Sequence, residues 1–183
     1  MTATIRLDRH GVAQMGHAAQ AAGIAAMTVA TALGAQVAVR LPFTPVPFTL
    51  QVFAVLLTGL VLSPRQAFVS QAIYVGAGFL GVPWFAGWTA IPALAGWVTA
   101  GYLAGFVVAA PVVAIVRTRL GPLAAAMLGI VVIQVAGASV LAALLGLSPR
   151  RAFVLGALPF LPFDAVKAMA AVATARTFAS PRA

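Results

Sequence analysis

Cysteine and asparagine are absent from this 183-residue chain, and two acidic residues, Asp8 and Asp164, stand against 11 basic ones. Without cysteine there is no disulfide and no thiolate metal site, and the redox compartment stays unread. His10 and His17 lie near the N-terminus with no acidic or thiol partner at ligand spacing, so no metal is expected. No serine–histidine–acid set and no glutamate-bearing metal motif occurs, which argues against hydrolytic chemistry. Lys167, the only lysine, is not preceded by glycine, so there is no phosphate-binding G-x-x-x-x-G-K-[ST] loop. The chain is expected to bind no cofactor and to hydrolyse no ATP; it does not read as an enzyme.

Charge of either sign is scarce. Charged residues make up 7% of the chain and hydrophobic residues 63%, whereas soluble domains carry roughly 25% charged residues. This composition belongs to an integral membrane protein. The net charge of +9 is spread between apolar segments. It therefore reads as a set of topology determinants, with no nucleic-acid surface. The first 17 residues are too polar and irregular for the apolar region of a signal peptide.

Apolar runs predict an all-α bundle of six transmembrane helices, at about 18–38, 48–63, 66–82, 95–116, 122–146 and 162–178. Each is close to the roughly 17–25 residues that cross a bilayer. The membrane domain is thus 18–178, between a tail at 1–17 and one at 179–183. Pro42, Pro45 and Pro47 part the first two spans. Ser63-Pro64 and Ser148-Pro149 have the form of an N-cap followed by an N1 proline. Prolines 159 and 162 make 147–161 an irregular or re-entrant connection. The stretches 62–69 and 147–154 are near-identical and lie three spans apart. That separation suits an inverted repeat; two helix-start signals of low complexity are the other reading.

With the N-terminus inside, Arg6, Arg9, Arg65, Arg117, Arg119, Arg176 and Arg182 fall on the inner side, against Arg40, Arg150 and Arg151 outside. The imbalance places both termini in the cytoplasm. Gln51, the connections 42–49 and 83–97, Asp164 and Lys167 then converge on one outward-facing cavity.

Asp164 and Lys167 sit in Pro159-Phe160-Leu161-Pro162-Phe163-Asp164-Ala165-Val166-Lys167. A charge in hydrocarbon costs about 2.5–3.5 kcal/mol on insertion scales. Spacing i,i+3 puts the two on one helix face, where they offer a charged acceptor and a charged donor. A ligand with adjacent N–H and C=O groups matches that pattern; a structural ion pair or a proton relay is the other reading. Gln51 follows a stiff proline-rich loop that suits a lid, or else simply bonds to backbone. Tyr74, Trp84, Phe85, Trp88 and Trp97 suit either an apolar pocket or interface anchoring. Trp88 and Trp97 fit the anchor role, whereas Tyr74, mid-span, needs a hydroxyl partner. Gln134, Thr28 and Thr31 are isolated polar residues expected to hydrogen-bond within the bundle. Ala18, Ala22, Ala26, Ala30, Gly34 and Ala38 form a period-four stripe of small residues, suited to close helix packing inside the chain or against a partner.

Four motifs appear together and in order. They are Pro45-Val46-Pro47-Phe48-Thr49-Leu50-Gln51; Tyr74 with Gly78-Phe79-Leu80-Gly81-Val82-Pro83-Trp84-Phe85-Ala86; Gly101-Tyr102-Leu103-Ala104-Gly105-Phe106; and the Asp164–Lys167 segment. In this order they resemble the BioY family, the biotin-specific S components of energy-coupling factor transporters, over residues 20–175. The resemblance implies a six-helix protein of the prokaryotic cytoplasmic membrane that captures biotin near its outer face. It implies partners: a transmembrane coupling protein, the T component, and two ABC-type ATPases that use the ATP. It carries the family's aspartate–lysine pair onto Asp164 and Lys167 as head-group ligands, with Gln51 and Tyr74 on matching motif positions; Tyr74, Trp84 and Phe85 suit biotin's apolar ring and tail as further substrate-binding residues. It also assigns Ala22, Ala26 and Ala30 to the interface with the coupling protein.

The chain departs from the family pattern at Gly87-Trp88-Thr89-Ala90-Ile91-Pro92 and at Ala95-Gly96-Trp97-Val98-Thr99-Ala100, and it has no asparagine ligand to offer. Biotin's ureido ring presents two N–H groups and one C=O, which Asp164 and Lys167 are able to answer. Its carboxylate suits the cavity mouth, near Arg40, Arg150 or Arg151. An S component for another vitamin, a solitary or proton-coupled biotin carrier, and a structural subunit or small channel are the competing readings.

Overall fold

The computed structural model describes residues 16–90 and 97–179. The tail with Arg6, Asp8, Arg9 and His10, residues 91–96 of the 83–97 connection, and Arg182 lie outside that range. Among the described residues there are seven α-helices: α1 His17–Gln36, α2 Gln51–Val61, α3 Pro64–Phe79, α4 Ala100–Leu120, α5 Pro122–Leu145, α6 Pro149–Gly156 and α7 Leu161–Ala179. A two-stranded antiparallel hairpin, β1 Ala38–Val39 and β2 Phe48–Thr49, joins α1 to α2, with Ala38 opposite Thr49 and Val39 opposite Phe48. A 3₁₀ turn at Trp97–Thr99 leads into α4.

Local chemistry sets these limits. Ser63 caps α3: its side chain accepts from the Gln66 N–H while Gln66 Oε1 accepts from the Ser63 N–H, a reciprocal capping box. Ser148 caps α6 from one side only, accepting from the Arg151 N–H, and both helices carry proline in the first turn. The stretches 62–69 and 147–154 thus share helix-start chemistry. Gly146 ends α5 in the left-handed region at φ 61°, where glycine meets no steric penalty.

Among the described residues, three helices are long and apolar enough to cross a membrane: His17–Gln36, Pro122–Leu145, and α4 counted from Trp97. A fourth is reached when α6 and α7, bent by 55° at their junction, are counted as one broken span. The expected second span is cut short. Residues 37–49 form the hairpin and Ser63-Pro64 starts α3, which leaves α2 with 11 residues. At 1.5 Å per residue that is about 16 Å, against a hydrocarbon core of roughly 30 Å. The connection expected at 147–161 is mostly helical, as α6.

The most extensive packing is between α4 and α5. Gly137 makes room there for the Tyr102 ring, which a Cβ at this position would strike. Tyr102 in turn donates its hydroxyl to Gly156 O at 2.8 Å, fastening α4 to α6. A polar seam ties α1 to its neighbours. Thr28 Oγ1 donates to Ser70 O at 3.0 Å, and Gln71 Nε2 donates to Thr31 Oγ1 and Thr58 Oγ1 at 3.1 and 3.3 Å. Small hydroxyls and amides hold helices together in this way where apolar burial gives little discrimination between helix and lipid. At the opposite end from the hairpin, Arg117 Nη1 donates to Gly59 O at 2.9 Å and also to Leu60 O. It thereby answers carbonyls that α2 leaves open at its C-terminus.

Candidate functional site

The two costly charges meet. Lys167 Nζ lies 2.8 Å from Asp164 Oδ1, and both side chains are buried. The i,i+3 spacing near the start of α7 places them there, and the bend after α6 aims that first turn into the bundle. Asp164 Oδ2 accepts from Gln134 Nε2 at 2.6 Å, so α5 contributes a third polar group. The Lys167 ammonium also lies 4.0 Å from the centroid of the Phe48 ring. Gln134 Oε1 is buried and has no hydrogen-bond partner among the described residues. A buried acceptor left unpaired costs about 1–3 kcal/mol, which the charge-assisted bond from Gln134 Nε2 to Asp164 offsets.

The hairpin and α2 build the next wall. Thr49 Oγ1 donates to Gln51 Oε1 at 3.0 Å, and Gln51 Nε2 donates to the Tyr74 hydroxyl at 2.7 Å. The Gln51 side chain is thus fixed by side chains, not by the backbone. Tyr74 is fully buried, and its hydroxyl has the partner that its mid-helix position demands. Its ring lies 5.4 Å from Trp84 and 5.3 Å, edge to face, from Phe85, within the range of favourable aromatic pairs. Trp84 Nε1 donates back to Tyr74 O at 2.9 Å.

Residues 83–90 close over these aromatics. Phe85 and Thr89 form an antiparallel bridge around a tight turn with positive φ at Gly87 (75°) and Trp88 (58°). The left-handed region costs a residue other than glycine roughly 1–2 kcal/mol. Gln36, at the end of α1, offsets it. Its Nε2 donates to Trp84 O at 3.1 Å and Phe85 O at 3.2 Å, while its Oε1 accepts from the Trp88 N–H at 3.2 Å. One amide thus holds the loop at three places. Gly78 is what lets the Phe85 ring pack down, because a Cβ there would collide with it.

A cavity of about 630 Å³ opens among these groups, within the usual range of small-molecule sites. Gln51, Phe85, Gln134, Asp164 and Lys167 line it, with Tyr102, Leu103 and Phe106 from α4 and Arg40 from the hairpin end. The expected convergence on one cavity is therefore found. Of the six residues expected to bind substrate, Tyr74 and Trp84 do not line it; they stand behind Gln51 and Phe85 as support. Of the three arginines considered for the mouth, Arg40 is on the wall. Arg150 and Arg151 are exposed at the start of α6 and are not part of it. Ala22 and Ala26 are exposed on α1, and Ala30 is partly buried against the core.

Two site residues are new relative to the sequence reading. Gln134 showed only as an isolated polar residue, and its pairing with Asp164 spans α5 and α7. Gln36 gave no signal, since a glutamine at a helix end is unremarkable until the loop folds onto it.

Comparison with known proteins gives this architecture relatives. The sequence matches the BioY family over residues 6–182. It is 40% identical over 149 residues to a probable biotin transporter BioY of Pyrococcus horikoshii, covering 81% of this chain and 89% of that one. A probable biotin transporter BioY of Lysinibacillus sphaericus is 45% identical over 62 residues, 34% of this chain and 31% of that one. The fold is similar to the crystal structure of the S-component for biotin from an ECF-type ABC transporter, with a TM-score of 0.81 at 20% identity, covering 90% of this chain and 94% of that one. The match to the family model over residues 6–182, nearly the whole sequence, makes this chain a member of the BioY family.

Proposed function

We propose that this chain is the substrate-capture subunit for biotin uptake, an S component that works with an energy-coupling module. The observation that carries the reading is the triad on the cavity wall: Asp164 bonded to Lys167 at 2.8 Å and to Gln134 at 2.6 Å. A ureido ring presents N–H donors and one carbonyl acceptor. Each carboxylate oxygen has a second lone pair, so Asp164 accepts from a ligand N–H while keeping both protein partners. Lys167 donates to the carbonyl, and Gln134 holds the Asp164 carboxylate in place from the α5 side. Phe85, Leu103 and Phe106 supply an apolar wall for the thioether ring and the aliphatic tail. Arg40, on the same wall, suits the carboxylate at the end of that tail. Tyr74 and Trp84 serve the site by holding Gln51 and Phe85 in position.

Capture alone moves nothing uphill, and the sequence has no nucleotide-binding motif. We assign the energy to a transmembrane coupling protein and two ABC-type ATPases, which meet the stripe Ala22, Ala26 and Ala30 on α1. No cofactor is assigned to this chain. We place it in the prokaryotic cytoplasmic membrane as six crossings with both termini inside. In that arrangement α2 and α3 cross as short helices and α6 with α7 forms one broken span.

Titration of the purified protein with biotin tests the reading, with Asp164→Asn beside it. The substitution leaves Lys167 without its counter-charge and removes an ionic acceptor. Binding should weaken by about 1.5–3 kcal/mol, roughly ten- to a hundredfold. Unchanged affinity in folded Asp164→Asn protein refutes the assignment, and mass analysis of the co-purifying ligand separates biotin from other vitamins.

A further inference from the structure

Phe48 does not line the cavity, yet its ring lies 4.0 Å from the Lys167 ammonium. It belongs to β2, on the hairpin that precedes α2, and is brought to α7 only by the fold. Its own orientation is fixed by α7 as well, where the Phe163 ring meets it edge to face at 5.1 Å. The cation is therefore held from two directions, by Asp164 Oδ1 at 2.8 Å and by an aromatic face. This matters because a lysine is a point charge on a flexible four-carbon stem with three rotatable donors. An ion pair alone would let the ammonium swing about Asp164. The ring face attracts the cation without taking up a hydrogen bond. It leaves donor capacity for the cavity that Lys167 lines.

We infer that Phe48 is a positioning residue, which fixes the Lys167 ammonium through a cation–π contact and so sets how well Lys167 answers a carbonyl acceptor in the cavity. The neighbouring residues act in parallel: Thr49 orients Gln51, and Gln51 bonds to Tyr74. The stretch 48–51 thus aligns two walls of the site from one short segment. The inference rests on the biotin reading for the identity of the carbonyl, but the placement of Lys167 is testable without it.

Two measurements on the full chain decide it. Lys167 is the only lysine, so protein labelled with ¹³C-lysine gives one side-chain Cε–Hε signal, in detergent or nanodiscs. That signal should be shifted upfield by the Phe48 ring, and the shift should vanish in Phe48→Leu. A Cε–Hε signal at its ordinary position, indifferent to Phe48→Leu, overturns the inference whether or not biotin binds. The second measurement replaces Phe48 with mono-, di- and trifluorophenylalanine, which keep the ring's shape while withdrawing its negative face. The logarithm of the biotin Kd should rise stepwise with fluorination, and Phe48→Leu should weaken binding about tenfold. A flat fluorine series overturns the electrostatic role. It does so without relying on the leucine variant, which also alters packing. Failure of the unmodified protein to bind biotin strikes the substrate reading alone, because the lysine signal still reports the contact.

Discussion

Gln134 and Asp164 stand 30 residues apart in the chain, and their side chains are 2.6 Å apart in the bundle. The contact joins the middle of α5 to the first turn of α7 and gives the buried carboxylate its second protein partner. Gln134→Leu preserves the approximate size and removes the donor. Asp164 Oδ2 then loses a charge-assisted hydrogen bond, worth about 1.5–3 kcal/mol. Biotin affinity should fall by about tenfold, because the carboxylate on the cavity wall is then held by Lys167 alone. Isothermal titration on folded protein checks this. An affinity within twofold of the unmodified protein excludes Gln134 from the site.

Residues differ in how much of their role their sequence context exposes. Asp164 and Lys167 were legible because charge is rare in this chain, and the i,i+3 spacing alone places them on one face. Ser63 and Ser148 were legible because a cap is a local device. The short α2 was not: apolar composition runs on through residues 48–63, and only the hairpin pairing of Phe48 with Val39 shows where helix gives way to strand. Tyr74 was legible as a hydroxyl in need of a partner, but its depth was not. Whether a hydroxyl faces the cavity or a neighbouring amide depends on the rotation of α3 against α2, which small differences in packing decide. Arg117 read as a topology charge, although it also caps a neighbouring helix through contacts 57 and 58 residues distant.

The second-row position of Tyr74 separates stability from affinity. Tyr74→Phe keeps the ring against Trp84 and Phe85 and removes the acceptor for Gln51 Nε2. The orphaned, buried amide N–H costs about 1–3 kcal/mol. Thermal unfolding in detergent should shift down by several degrees, while biotin Kd should change by less than about fivefold. Gln51→Ala should lower both, since Gln51 is on the wall itself. Tyr74→Phe binding as poorly as Gln51→Ala would place Tyr74 in direct contact with ligand.

Gln36 governs how firmly residues 83–90 are closed. Gln36→Ala removes both donations to the carbonyls of Trp84 and Phe85, and it removes the acceptor that offsets the left-handed backbone at Trp88. Three modest hydrogen bonds, each worth about 0.5–1.5 kcal/mol net, hold a loop whose Phe85 forms part of the cavity wall. The dissociation rate of biotin should rise by roughly tenfold with little change in the association rate, since affinity changes within one site fall mostly on the off-rate. Stopped-flow displacement of a fluorescent biotin conjugate measures both. Trp88→Gly in the Gln36→Ala background should recover part of the loss by removing the strained side chain. A slowed association rate with an unaltered off-rate would assign Gln36 to entry of the ligand, not to its retention.

Exposure along α1 decides which alanine is a clean probe of partner docking. Ala22 and Ala26 are exposed, whereas Ala30 packs partly against the core. Tryptophan at Ala30 would overpack the bundle, at about 1–3 kcal/mol, and would confuse a folding defect with a docking defect. At Ala26 it adds bulk on the outer face alone. If α1 approaches the coupling protein through this stripe, Ala26→Trp keeps biotin Kd and thermal stability unchanged. It should still abolish ATP-driven uptake in cells that supply the coupling protein and both ATPases. Small residues allow helices within close backbone approach, and one indole exceeds that gap. Uptake at the unmodified rate would show that the coupling module reaches this chain through a different face.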